Sequence, residues 1–177
     1  MPLLLPDGNP AWHAVVTLAL HIDILADLGP VKTPERRVAC GVAIILMNAC
    51  GEVLMGKRKG SHGAGTYSFP GGWMEHGESF LDTAKREAKE EADIDITDAT
   101  VVHAMSTVFP EDKHSVTILL QVHNRDWTGT PKAMEPNKLD GEWSWYHYAQ
   151  LPSPLFKPLA DLGENLSEII LQTRIPT

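Results

Sequence analysis

The chain reads as an α/β protein with a mixed sheet flanked by helices, and three observations point there. Apolar, β-branched runs at residues 38–47 and 53–58 precede a helical pattern, and further runs at 101–109 and 115–123 follow it. The helical pattern carries small and apolar residues on one side and acids on the other. A final stretch, 154–167, is helical but interrupted, and 166–173 extends it. Strands, helix, strands, helix is the order that layers helices on a sheet.

Taken in order, the first two strands are joined by a turn at Asn48-Ala49-Cys50-Gly51. Lys57, Arg58 and Lys59 then alternate across a strand end, so the lysines point one way and Arg58 the other. A glycine-rich loop, Gly60 to Gly65, leads through Tyr67 and Phe69 to Gly71-Gly72. The central helix starts near Ser79, because Asp82 three residues on completes a capping-box-like pair. Phe80, Leu81, Ala84 and Ala88 are its core side. After the second pair of strands comes a Pro- and Gly-rich loop over 128–141, then a short strand at 143–146.

Residues 1–35 form an N-terminal extension to the domain at 36–177. Asn9-Pro10 and Gly29-Pro30 punctuate a helix over 10–28, with Ala14, Val15, Leu18, Ile22 and Leu25 on one face. The alternation of Val16, Leu18, Leu20, Ile22 and Ile24 also fits a strand. Such a segment packs on its own domain, forms a lid, or makes a homodimer contact; the sequence does not separate these.

Composition narrows the function. At 177 residues, 43% hydrophobic and 21% charged, the chain matches ordinary globular proteins and is long enough for a substantial core. Cys40 and Cys50 make no disulfide framework and are read as reduced. No apolar run spans a bilayer, and Met1 to Pro6 lacks a basic start, so the expected compartment is the cytoplasm, without membrane association. A net charge of −8 opposes binding to a nucleic-acid polymer, though not to a small phosphorylated substrate met by local cations.

The chemistry concentrates between Gly71 and Ile94. Glu87, Glu90 and Glu91 stand three and four residues apart and converge on one helix face. Carboxylates so close repel one another, and a hard divalent cation with oxygen ligands relieves that cost. Such an ion neutralises phosphate, orients it, and acidifies water for attack on phosphorus. Arg86 can fork onto a neighbouring carboxylate and fix its direction. Gly71 and Gly72 permit close backbone approach, so a carbonyl there can serve as a ligand. A Glu/Lys-rich helix is more often a plain solvated face, but the full spacing argues otherwise: Gly72, five residues, Glu78, seven residues, then Arg86-Glu87-Ala88-Lys89-Glu90-Glu91, all after Phe69-Pro70-Gly71.

This pattern resembles the Nudix box, the signature of hydrolases that cleave nucleoside diphosphates linked to another moiety. Similarity to the MutT-related and plant cytosolic branch extends over roughly 38–162, through Gly56 to Gly65, His114 to Ile118, Glu135-Pro136-Asn137-Lys138 and Trp143-Ser144-Trp145. The resemblance implies a Nudix-fold α/β/α sandwich, with the N-terminal helical segment added. It implies Mg²⁺, with Mn²⁺ as substitute, on Glu87, Glu90, Glu91 and the Gly71 carbonyl. It assigns catalysis to Glu90, Glu91, Arg86 and Glu78, with Arg86 orienting an acid and Glu78 supporting the loop and helix. One departure is Asp93 where the family ends the helix with glycine; a left-handed cap costs Asp modestly.

Substrate contacts are expected from Arg58, Gly72, Phe69, Glu111 and Trp143. Arg58 is read as a phosphate or base contact, its alternative being a charged edge strand. Glu111 and Asp112 lie in a loop where the family often supplies another acid, a ligand or general base. Tyr67, Phe69, Phe109, Trp143 and Trp145 can stack on a ring, although aromatics in strands are usually core. His62, His76 and His114 fall near the site. The leading expectation is Mg²⁺-dependent cleavage of nucleoside triphosphates, oxidised purine forms among them, to monophosphate and pyrophosphate. The alternatives are another diphosphate (NADH, ADP-ribose or an isoprenyl diphosphate) and a non-catalytic nucleotide-binding module.

Overall fold

A computed structural model describes residues 37–60 and 62–171. The N-terminal extension, with the helix expected over 10–28, and the end of the helical extension expected over 166–173 lie outside them. In chain order the elements are β1 (Val38–Leu46), β2 (Glu52–Lys57), β3 (Tyr67–Ser68), helix α1 (Phe80–Ala92), β4 (Asp95–Ile96), β5 (Thr100–Val108), β6 (His114–Val122), β7 (Trp127–Thr128), β8 (Ser144–His147), α2 (Lys157–Ala160) and α3 (Asn165–Leu171).

The sheet is mixed, as expected. β1 runs parallel to β6, from Val38 opposite His114 to Leu46 opposite Val122. β5 pairs antiparallel with β6, with an irregularity between Val101 and His103. A second sheet has the order β3-β2-β8, and a small ladder joins β4 to β7. The β1–β2 turn forms where the sequence places it: Asn48 Oδ1 accepts from the Cys50 and Glu52 N–H groups, each at 2.9 Å, and Gly51 takes φ 76°.

Period-two alternation divides the strands between two cores. Val42, Ile44 and Leu46 of β1, Leu54 of β2, and Ile118, Leu120 and Val122 of β6 face one side. Ala84, Ala88 and Ala92 of α1 cover them, and these small side chains let the helix lie close to the strands. Ile45, Val53, Met55 and Leu119 face the other side, where Leu159, Leu166, Ile169 and Ile170 of the closing helices meet them. The result is the α/β/α sandwich.

Phe80 departs from its expected core role and is 38% exposed. It shares the angular direction of Ala84 and Ala88, but it opens the first turn, and the packed part of that face begins one turn later. Leu81 is half-buried against the core.

Candidate active site

The acidic helix is held at both ends. At its start Ser79 Oγ accepts the Asp82 N–H while Asp82 Oδ2 accepts the Ser79 N–H at 3.1 Å, a reciprocal capping box. At its end Asp93 adopts the left-handed cap, φ 56°. Its carboxylate meets Lys89 Nζ at 2.8 Å and Lys132 Nζ at 3.2 Å, which offsets the strain a glycine would avoid.

Arg86 organises the loop before the helix and the acids on it. Its Nε and Nη2 fork onto Glu78 at 2.7 and 3.0 Å, and Nη2 also donates to the Trp73 carbonyl at 2.8 Å. Its Nη1 reaches Glu87 Oε1 at 2.7 Å and Glu90 Oε2 at 3.3 Å. This bidentate, charge-assisted bonding holds the Glu78 carboxyl down at about 2 and raises the Arg86 pKa.

Two carboxylates point inward. Glu87 is buried, and burial pushes its carboxyl up while the Arg86 hydrogen bond pulls it back. Glu91 accepts the Gly71 N–H at 2.9 Å, and among the described residues no ion pair reaches it. Burial drives its carboxyl up to about 7, and the Glu87 charge adds to the rise. Glu90, with 55% of its side chain exposed, stands in solvent beside them.

Gly71 is required by the backbone packed against it, and Gly72 makes room for the Glu87 carboxylate. Gly71, at φ 145°, would drive a Cβ into the Val42 carbonyl, and a Cβ on Gly72 would run into the Glu87 carboxylate. The Gly72 carbonyl is taken by the Val42 N–H at 2.9 Å.

Among the described residues no three His, Cys, Asp or Glu side chains already stand at metal-ligand spacing. The donor set nonetheless fits a hard divalent cation. Glu87 and Glu91 are desolvated, mutually repelling carboxylates, and Glu90 is exposed enough to swing toward them. A cation there would remove the penalty that raises Glu91.

The glutamates line one lobe of a two-lobed cleft. The acidic lobe, about 400 Å³, is walled by Glu87, Glu91, Arg58, Lys59, Trp143 and the loop bearing Glu135, Asn137 and Lys138. The adjoining apolar lobe, about 220 Å³, is walled by Phe69, Phe109, Phe156, Leu159 and Thr117. Arg58, His62, Ser68, Gly71, Gly72 and Trp73 border both. Arg58 is anchored at this junction: Nε donates to the His62 carbonyl at 3.2 Å, Nη1 lies 3.5 Å from Ser68 Oγ, and Cζ sits 4.3 Å from the Phe156 ring centre. Of the strand-end lysines, Lys57 turns toward Asp140 at 3.4 Å, whereas Lys59, on the wall of the acidic lobe, donates to the Pro136 carbonyl at 3.4 Å.

Of the expected site residues, Glu78, Arg86, Glu87, Glu90, Glu91, Gly71, Gly72, Arg58, Phe69 and Trp143 fall in or beside this cleft. Trp143 also has a structural task, its indole N–H bonding the Glu91 carbonyl at 3.0 Å. Glu111 is in neither cleft wall, although its charge acts on His62 at the border of both lobes. The tight turn between β5 and β6, closed by Phe109 N–H to the Lys113 carbonyl at 2.8 Å, turns Phe109 inward and leaves Glu111 exposed, lining neither lobe. Tyr67 and Trp145 pack in the two cores. His76 is exposed, and His114 bonds Ser106 Oγ at 2.7 Å, away from the cleft walls. Trp73 and Phe156 were not singled out by sequence reasoning. Trp73's place between the paired glycines and Glu78 was the available signal; Phe156 gave none, since a distant loop carries it in.

Fold and site together define a hydrolase of phosphoanhydride bonds in nucleoside diphosphate derivatives. The NUDIX domain model matches residues 37–166, and the chain belongs to that family. It is similar in structure to the MutT NUDIX hydrolase of Burkholderia pseudomallei, with TM-score 0.65 and 23% identity over 77% of this chain and 98% of that one. The MutT protein of Methanosarcina mazei Go1 gives TM-score 0.63 and 18% identity, over 81% of this chain and all of that one. The NUDIX domain of Shewanella oneidensis NrtR, solved with ADP ribose, gives 0.61 and 17%, over 85% and 96%.

Proposed function

We propose that this chain is a Mg²⁺-dependent pyrophosphohydrolase of nucleoside triphosphates, oxidised purine forms among them, with Mn²⁺ as substitute metal. The observation that carries the reading is the junction at Arg58, where an aromatic-walled lobe adjoins the lobe holding Glu87 and Glu91. A base fits the first and a polyphosphate the second. At about 220 Å³ the apolar lobe is smaller than the roughly 300–1,000 Å³ of whole-ligand sites, so it takes one ring system and leaves the phosphates outside.

The chain's own groups then have distinct tasks. Glu87, Glu90, Glu91 and the Gly71 carbonyl would hold the metal. When bound, Mg²⁺ neutralises phosphate oxygens and acidifies the attacking water. Burial raises the Glu91 carboxyl to about 7, so it would give up a proton to serve as a ligand. Arg86 keeps Glu87 in direction from one side and Glu78 locks Arg86 from the other. Arg58 aims its remaining guanidinium donors at phosphate or base. The water oxygen would bond to one phosphorus of the scissile anhydride, the bridging oxygen would depart with the other, and the water's protons would pass to neighbouring bases and solvent.

A hydrolysis panel with Mg²⁺ tests this: normal and 8-oxo purine dNTPs, NADH, ADP-ribose and geranyl diphosphate, compared by kcat/KM. Preference for a triphosphate supports the reading. Preference for one of the others assigns the cleft to that diphosphate, and inactivity on all assigns the chain to nucleotide binding without turnover.

A further inference from the structure

We propose that Trp73 is the outer stacking plate for the nucleobase and selects an aromatic head group over an aliphatic or sugar one; this rests on the nucleotide reading above. Trp73 is 53% exposed, an unusual state for the largest apolar side chain, and the residue lines both lobes. The other described tryptophans are satisfied. The Trp127 indole N–H bonds the Met47 carbonyl at 2.8 Å, and its ring stacks on Trp145 with centroids 5.8 Å apart. Trp143 bonds the Glu91 carbonyl. Among the described residues Trp73 alone of these four has neither a ring partner nor an indole hydrogen bond.

Its backbone, by contrast, is fixed. The carbonyl accepts from Arg86 at 2.8 Å, and an antiparallel bridge joins it to Gly41. The ring rests over Gly41, where an added Cβ would come 3.0 Å from Trp73 Cε3. The hub that orders the acids therefore also fixes where this ring leaves the chain. The inner wall is already assembled: His62 lies 4.7 Å from Phe109 and 5.4 Å from Phe156, and the two phenylalanines stack at 5.9 Å. What the apolar lobe lacks is a ring partner for Trp73, and a planar base supplies one.

The test uses the full chain with Trp73→Ala and Trp73→Phe. Trp73→Ala is expected to raise KM for Mg²⁺-dGTP about 10-fold with kcat within about twofold, and Trp73→Phe to recover most of the loss. A non-hydrolysable dGTP analogue should quench tryptophan fluorescence in the wild type and much less in Trp73→Phe, whereas inorganic pyrophosphate should quench neither. An unchanged KM in Trp73→Ala, in an enzyme that hydrolyses triphosphates, overturns the inference and leaves the nucleotide reading standing. So does a fall in kcat and melting temperature at constant KM, which marks a structural role. Wild-type preference for geranyl diphosphate overturns the nucleotide reading and the inference with it.

Discussion

The Gly71 N–H donates to Glu91 Oε2 at 2.9 Å, tying the loop before the acidic helix to the last turn of that helix at a desolvated carboxylate. One hydrogen bond is a small return for burying such a group, so Glu91 favours its proton until another positive partner arrives.

Stability without metal should therefore fall as pH rises. The Glu91 carboxyl titrates near 7 in the folded chain against an ordinary 4.5, so the folded state binds more protons between those values. Its contribution is full below 4.5 and lost by about pH 7, up to about 3 kcal/mol. Thermal melts from pH 5 to 8 should show this decline, a flatter profile in Glu91→Gln, and Mg²⁺ stabilisation that grows with pH. A metal-free wild type whose stability rises across this window would contradict the assignment.

Breaking the Arg86 fork should cost more than its charge. Arg86→Lys keeps the charge but cannot hold Glu78 twice, Glu87 and the Trp73 carbonyl together. We expect kcat/KM to drop about 10–100-fold, with weaker Mg²⁺ affinity by titration calorimetry. Glu78, held at about 2, contributes stability that is present above 4.5 and lost as pH falls toward 2. Glu78→Gln should remove that acid-limb dependence.

Glu90→Gln should separate chemistry from folding. The side chain is largely exposed and its contact to Arg86 is long, so the melting temperature should hardly change. Turnover should fall by at least about 100-fold if Glu90 enters the metal site. Retained activity would sink the ligand assignment.

The paired glycines should fail in different ways. Gly71→Ala meets backbone, the Val42 carbonyl, at a φ that L residues avoid, and should destabilise by roughly 1–3 kcal/mol. Gly72→Ala meets only the end of Glu87, which can turn away. It should lose Mg²⁺ affinity with a smaller shift in melting temperature, and denaturant melts paired with metal titrations distinguish the two.

What the sequence determined by itself is local. The box spacing placed the acids on one helix face, Ser79 and Asp82 announced the start of the helix, and Asp93 its left-handed end, because capping and helical periodicity act within a few residues. Alternation in β1, β2 and β6 likewise wrote the two cores into the strands. Tertiary structure decided the rest. Phe156 and the Glu135–Lys138 loop reach the cleft from far along the chain, while Glu111, close in sequence to Phe109, is exposed and lines neither lobe. The Glu91 proton also belongs to this level, since a carboxyl titrates by the solvent it loses and the charges that surround it, and neither is a property of the residue's neighbours in sequence.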